Sequence, residues 1–185
     1  MTQGPRARLI EGAIELVREQ GVHGAGLAAL LDRSNTSRNS LYQHFPSGKS
    51  ELVATATEVA GRRMSAVIEA LTRTGEPEGW VGALVGWWKQ ALESSGFVAG
   101  CPVVGAALAE SEPGVQAAAG IAFAGWTEVL AAALTNRGVD AARASSLASF
   151  VISAVEGAIV QARATKSTRP LDDVRDNLVI LLRAG

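Results

Sequence analysis

A single cysteine, Cys101, stands in a chain of 185 residues. No disulfide can form within the chain, and a reducing compartment is the expected setting. Histidine is almost as scarce. His23 and His44, even with Cys101, are too few and too scattered for a metal site, so no metal is expected. Charged residues make up only 19% of the chain and nearly cancel at a net charge of -1, which argues against a generic polyanion binder. The apolar stretches in 103–136 and 147–160 are interrupted by Glu, Gly or Pro, and neither is expected to reach the roughly 20 residues of a membrane span. The start, Met1-Thr2-Gln3-Gly4-Pro5-Arg6, has no apolar signal core; a soluble cytoplasmic protein with no membrane partner is expected. No stretch alternates apolar and polar residues between hairpin turns, so strands are not expected either.

Catalytic patterns are missing as well. Cys101 has no base near it in sequence, and a lone cysteine reads as a small buried hydrophobe. Gly24-x-Gly26-x-x-Ala29 imitates a dinucleotide fingerprint but follows a helical pattern rather than a strand. Gly48-Lys49-Ser50 imitates the end of a phosphate-binding loop, but Gln43 stands where the first glycine is required. No acid/base pair or nucleophile constellation emerges, so neither catalytic residues nor a cofactor is expected.

What the sequence does hold is apolar periodicity. Hydrophobic residues make up 48% of the chain, and the 20 glycines are scattered singly rather than gathered in linkers. The spacing predicts an all-α fold of about nine helices. Pro5 suits the first turn of a helix that buries Leu9, Ile10, Ala13, Leu16 and Val17 and stops at Gly21. A short second helix spans about Leu27 to Arg33. Asn35, which tolerates positive φ, makes the turn that follows. Ser37 caps a short third helix that ends near Phe45-Pro46. Ser47 is expected to cap a long fourth helix, and Glu76-Pro77-Glu78-Gly79 to break it. A fifth helix carries Val81, Leu84, Val85, Trp88 and Leu92. A short helix stopped at Pro113-Gly114, long helices over about 115–136 and 141–165, and a last one after Pro170 complete the chain, with Asp140 capping the penultimate helix.

Short helices with a three- or four-residue turn between the second and third form the pattern of a helix-turn-helix. Residues 1–63 carry eight Lys/Arg against six Asp/Glu, and residues 64–185 nine against twelve, which leans the N-terminal part toward an anionic partner. The third helix then enters the major groove of double-stranded DNA. Ser37, Arg38, Asn39 and Ser40 are polar donors at its N-terminal end, placed to reach base edges, while Leu41 and Phe45 face inward. Tyr42, His44 and Lys49 can donate to phosphates. The same pattern also fits an ordinary three-helix cluster with a polar face.

The run Arg33-Ser34-Asn35-Thr36-Ser37-Arg38-Asn39-Ser40-Leu41-Tyr42-Gln43-His44-Phe45-Pro46-Ser47-Gly48-Lys49-Ser50-Glu51-Leu52 resembles the N-terminal signature of the TetR family of one-component repressors. That signature has a Gly-Val-Ser turn, a variable pair, Leu-Tyr-x-His-Phe, a short break and Lys-x-x-Leu. Ala13 and Gly21 also fall in the expected places, and the resemblance covers residues 6–52. Two departures stand out. Asn35 and Thr36 replace the usual Gly-Val, and Gly26 sits where a Ser or Thr usually opens the second helix and often touches a phosphate. Gly100-Cys101-Pro102-Val103, Glu110, the Trp126 region, Glu156-Gly157-Ala158 and Arg163 resemble the regulatory domain of the LmrA/YxaF-like branch, linked to repressors of drug-export genes.

The resemblance implies a DNA-binding domain over 1–48 and a ligand-binding and dimerisation domain over 49–185, with an effector pocket among the fourth to eighth helices. Trp80, Trp87, Trp88 and Trp126 all lie in that second part, and as a group they favour a pocket for a small hydrophobic effector, although tryptophan at helical spacing also serves as core. Trp87, Trp88, Cys101, Phe123, Trp126 and Glu156 are the expected ligand contacts. Glu156 lies among apolar residues, where a carboxylate needs a partner; Arg163, seven residues on, or a cationic ligand can supply it. The apolar stripes of the last two helices, with Val151, Ile152, Val155, Ile159, Leu178 and Leu181, are expected to pack against a second copy as a four-helix bundle. The implied protein is a homodimeric repressor released from operator DNA by its effector. An enzyme using the apolar cavity, or an activator, are the alternatives.

Overall fold

Helix boundaries follow the breakers in the sequence. The computed structural model describes residues 4–183. Among these are nine helices: α1 (Pro5–Gly24), α2 (Leu27–Arg33), α3 (Arg38–His44), α4 (Lys49–Thr72), α5 (Pro77–Ser94), α6 (Pro102–Ala107), α7 (Pro113–Thr135), α8 (Ala141–Thr165) and α9 (Arg169–Arg183). No described residue lies in a strand. Proline does more starting than stopping here. Pro5, Pro77, Pro102 and Pro113 each open a helix and Pro170 is the second residue of another, because the first turn needs no amide hydrogen from them and their fixed φ suits it. Pro113 therefore begins α7 instead of ending the helix before it.

The remaining ends use the caps that the sequence announces. Gly21 leaves helical geometry at φ 71° and ψ 177°, after which one more turn, to Gly24, completes α1. Asn35 sits at φ 46° in the turn before α3. The Asp140 carboxylate accepts from the N–H groups of Ala142 (3.0 Å) and Arg143 (3.1 Å) at the start of α8. At the start of α4, Ser47 contributes its own N–H, which the Glu51 carboxylate receives at 2.8 Å, and Gly48 takes φ 77°.

The chain forms two compact units. The first comprises the described residues up to Arg62 together with Cys101–Ala122. Leu9, Leu16, Leu30, Leu41, Phe45, Leu52 and Val103 are buried in it. The expected division at 48/49 does not follow these units, because α6 packs along α1. Gly105 makes that approach possible: a Cβ there would lie 3.2 Å from the Val17 carbonyl oxygen and 3.3 Å from Val17 Cγ1.

The second unit comprises Arg63–Gly100 and the chain from Phe123 onward. Its core is the pairing of α5, α8 and α9, filled by Trp88, Leu92, Val155, Ile159, Leu171 and Leu178. At the α5–α9 contact, Lys89 Nζ donates to both carboxylate oxygens of Asp172 (2.8 and 3.0 Å), and Arg175 donates to the same carboxylate at 2.8 Å. These bonds, the one from Lys89 foremost, hold the Asp172 carboxyl below its ordinary range. By length and apolarity alone, α7 and α8 could each cross a membrane, so the expectation that no stretch is long enough was too strict. Both behave as core helices, burying Trp126, Leu130 and Leu134 in one case and Val151, Val155 and Ile159 in the other.

Two substitutions test these contacts. Gly48→Ala places a Cβ at positive φ and 3.2 Å from Tyr42 Cε1; chemical denaturation should show a loss of about 1–2 kcal/mol, and an unchanged midpoint would contradict the geometry. Asp172→Asn should lower the melting temperature by about 2–4 °C at pH 7, as expected for a part-exposed ion pair worth up to about 1 kcal/mol in a chain of this size. A carboxyl whose folded pKa is depressed stabilises above its unfolded value and loses that contribution as pH falls, so the gap between variant and wild type should close below about pH 4. A gap still open at about pH 3 would assign the effect to something other than this charge.

Candidate functional site

The geometry of α3 follows from two side chains. Leu41 and Phe45, four residues apart, are 0% and 1% exposed, and their burial is worth about 1.5–3 kcal/mol each. Fixing them inward turns the rest of this seven-residue helix outward. Ser37, Arg38, Asn39, Tyr42 and His44 are exposed and Ser40 half-buried. The Ser37 hydroxyl accepts the Ser40 N–H at 3.1 Å, closing the first turn. The result is a short polar ridge whose side chains include a guanidinium, a carboxamide able both to donate and to accept, and a phenol. The Arg6 guanidinium lies 5.4 Å from the Phe45 ring centroid, beside the far end of that ridge.

The turn before α3 is held from α1. Arg8 donates from Nε to the Ser34 carbonyl (3.1 Å) and from Nη2 to the Asn35 carbonyl (3.2 Å). The Asn35 and Thr36 N–H groups return to the Asp32 and Leu31 carbonyls, both at 3.0 Å. Thr36, a departure from the family's Val, uses its hydroxyl: it lies 2.6 Å from Ser34 Oγ, which also donates to the Leu30 carbonyl at 2.7 Å. Farther along α1, Glu15 and Glu19 grip Arg33 at 3.2 and 2.9 Å. The hydrogen bond from Arg33 keeps the Glu19 carboxyl below its ordinary range. Gly26 opens α2 without a side-chain cap. Lys49 is half-buried, and its Nζ donates to the Val22 carbonyl at 2.9 Å, which ties the start of α4 to the end of α1 and leaves further N–H donors on the ammonium. Ser50, one residue on, donates to the Glu112 carboxylate.

The expected ligand contacts lie on α5, α7 and α8 and just before α6. Trp88 is buried and Trp87 is 41% exposed; they meet edge to face at 4.8 Å. Phe123 and Trp126 form a second such pair at 5.2 Å. Glu156 is half-buried, and its Oε2 is shut off from solvent. The Arg163 guanidinium donates to the Val98 carbonyl. Cys101 is buried in the first unit, just before α6. The second unit does contain an apolar cleft among α4, α5, α7 and α8, lined by Ile68, Leu71, Trp80, Leu84, Leu130 and Ile152, with Thr72 and two valines. None of the six expected ligand residues is in that wall. Among the described residues, no cluster of three or more His, Cys, Asp or Glu side chains could hold a metal ion.

The expected dimer residues need correcting. Val151, Ile152, Val155, Ile159 and Leu178 are between 1% and 7% exposed within a single chain, and Leu181 is half-buried. Those five are spent on the subunit's own core, while Leu181 keeps part of its surface. The exposed apolar side chains on these helices are others: Phe150 (55%) and Val160 (50%) on α8, and Ile180 (68%) on α9. The sequence pattern did not single out Arg8 or Thr72, whereas Trp80 stood in the tryptophan group that favours a pocket. Arg8 had a usable signal, since with Glu15 and Glu19 it falls at helical spacing on one face of α1. Thr72 and the aliphatic residues of the cleft wall had none, because they look like any core.

Comparison with known proteins agrees with this architecture. Residues 9–56 match the family described as "Bacterial regulatory proteins, tetR family", and residues 77–177 match "Transcriptional regulator LmrA/YxaF-like, C-terminal domain". An uncharacterised HTH-type transcriptional regulator of Mycobacterium tuberculosis is 34% identical, the alignment covering 98% of this chain and 96% of that one. The HTH-type transcriptional regulator LmrA of Bacillus subtilis is 27% identical, covering 96% of each. A TetR transcriptional regulator from Legionella pneumophila superposes with a TM-score of 0.85 at 20% identity over 98% of both chains. Regulatory protein TetR from Rhodobacter sphaeroides gives 0.81 at 18% identity, over 95% of this chain and 97% of that one. The chain thus belongs to the TetR family of DNA-binding transcriptional regulators, with a regulatory part of the LmrA/YxaF-like type.

Proposed function

We propose that the chain is a homodimeric repressor, acting in the cytoplasm, that leaves its operator when a small hydrophobic effector binds. The observation that carries the DNA-facing part is the solvent-facing ridge of α3, which Leu41 and Phe45 hold outward. Arg38 and Asn39 read bases: arginine suits the paired acceptors of guanine, and asparagine the donor–acceptor pair of adenine. Ser37 and Ser40 add short-range hydroxyl contacts. Tyr42, His44 and Lys49 hold the phosphate backbone, which sets register without reading sequence.

Two such ridges engage one near-palindromic site when two copies pair through α8 and α9. The faces available for pairing carry Phe150, Val160 and Ile180, and a groove of about 290 Å³ runs between the two helices beside Phe150. A second copy places the two recognition helices about one helical turn of DNA, roughly 34–36 Å, apart. The effector acts by preferring a dimer in which that spacing is wrong, and only its difference in affinity between the two states can shift the balance. The helix α4 carries Lys49 and Ser50 at one end and Ile68 and Thr72 of the cleft toward the other, so one helix contributes to both tasks.

Selection of genomic fragments bound by the full chain, with and without hydrophobic compounds, tests the proposal. A near-palindromic motif lost on adding a compound is expected, and no enriched sequence at all would sink the DNA reading. Asn39→Ala should change the preferred base at one position of each half-site, at a cost of about 1–3 kcal/mol against the original operator. Lys49→Ala should weaken all sequences alike and lower the salt slope by about 1; an unchanged selection profile for Asn39→Ala would remove it from the readers. For the dimer, Phe150→Glu with Val160→Glu should give monomers in analytical ultracentrifugation, whereas intact dimers would place the interface elsewhere.

A further inference from the structure

Within the second unit, two spaces meet at Thr72. One is the apolar cleft, with about 20 Å³ of free volume, room for little more than a single water. The other is an open groove of about 610 Å³ between the end of α4 and the end of α7, whose edges include Glu69, Arg73, Asn136 and Arg137. Thr72 lines both. The indole of Trp80 forms part of the cleft wall. It is held by its Nε1–H, which donates to the Thr74 carbonyl at 2.8 Å, and by the Arg137 guanidinium, 5.6 Å from the ring centroid. Arg137 in turn pairs with Glu76 at 3.3 Å.

We propose that the groove is the vestibule of a ligand site, that Trp80 clasped by Arg137 is its gate, and that the site behind the gate takes an uncharged, largely aromatic or hydrocarbon molecule. A ligand-sized pocket is about 300 Å³ or more, so the cleft as it stands is too small for one and a ligand must part the walls. Arg137 is the piece that can move: it lies at the surface, and its two partners are an exposed carboxylate and a ring face. The lining sets the ligand's charge. Every wall side chain is apolar except Thr72 and the indole N–H. The Thr72 hydroxyl already donates to the Ile68 carbonyl at 2.9 Å, and the indole N–H is committed to Thr74. A charged group pushed behind Trp80 would find no counter-charge and no spare donor or acceptor in the wall, which makes its desolvation prohibitive. A polar tip can instead remain in the vestibule, among Glu69, Arg73 and Arg137.

The inference rests on the effector reading only for its regulatory meaning, and the two fail separately. The probe is N-phenyl-1-naphthylamine, which is uncharged and brightens in apolar surroundings; its companion, 1-anilinonaphthalene-8-sulfonate, adds one sulfonate to the same skeleton. With the full wild-type chain, stopped-flow fluorescence should show slow, saturable binding of the neutral probe and affinity at least tenfold weaker for the sulfonate. Arg137→Ala, a surface change, should raise both the association and the dissociation rates of the neutral probe several-fold, and Arg137→Lys should fall between. Leu84→Ala enlarges the cleft and should tighten the neutral probe several-fold. Equal affinities for the two probes, or rates untouched by Arg137→Ala, would overturn the gate and its charge selectivity. In folded protein, as judged by circular dichroism, an affinity unchanged by Leu84→Ala would place the probe outside the cleft and overturn the site. Neutral-probe binding with these responses but without release of operator DNA would uphold the site and overturn the effector reading.

Discussion

Arg8 holds two carbonyls that no backbone hydrogen reaches within their own turn, those of Ser34 and Asn35. Much of the DNA-facing surface depends on that fork. The helix α3, proposed to read DNA, has seven residues and too few internal hydrogen bonds to persist alone, so its direction is set by the turn before it and by the two side chains beneath it. The turn contains a residue at positive φ, Asn35, and a conformation of that kind needs its surroundings to over-determine it. Arg8 does so from one side, the Ser34–Thr36 hydroxyl pair from within, and the Arg33 pairing with Glu15 and Glu19 by pinning the end of α2 to α1. Each bond is modest, and together they leave the ridge of α3 one orientation.

The second unit is organised on a different principle. Its helices are long enough to be held by apolar area alone, and the polar interactions, such as Lys89 with Asp172, lie at the margins of that packing and set register between α5 and α9 rather than supplying most of the stability. The two arrangements suit the two proposed tasks. A reading surface needs fixed directions, which hydrogen bonds and caps provide. A space for an apolar molecule needs walls that can separate, which non-directional contacts permit.

The sequence made the DNA-facing part legible because it is built from local signals. Gly21, Asn35 and Ser37 each carry a backbone or capping role that one residue and its neighbours define, and all three act as their chemistry suggests. Burial on α8 was legible as well, but its destination was not. Val151, Val155 and Ile159 mark an apolar stripe, and periodicity cannot say whether a stripe meets the same chain or another; α5 and α9 claim it. The cleft is walled by ordinary aliphatic side chains and one tryptophan whose neighbours Thr74 and Arg137 are distant from its other walls in sequence. Only three-dimensional adjacency marks such residues out.

The DNA-facing unit is stitched from two stretches of chain, with Cys101–Ala122 returning to lie with the N-terminal helices and Gly105 seated on the Val17 carbonyl. An α1 taken from a relative would meet the resident α6, and its carbonyl at position 17 would have to fall where Gly105 leaves room for it. If the exposed face of α3 reads the operator as proposed, point changes on that face leave the fit between Gly105 and the Val17 carbonyl as it is.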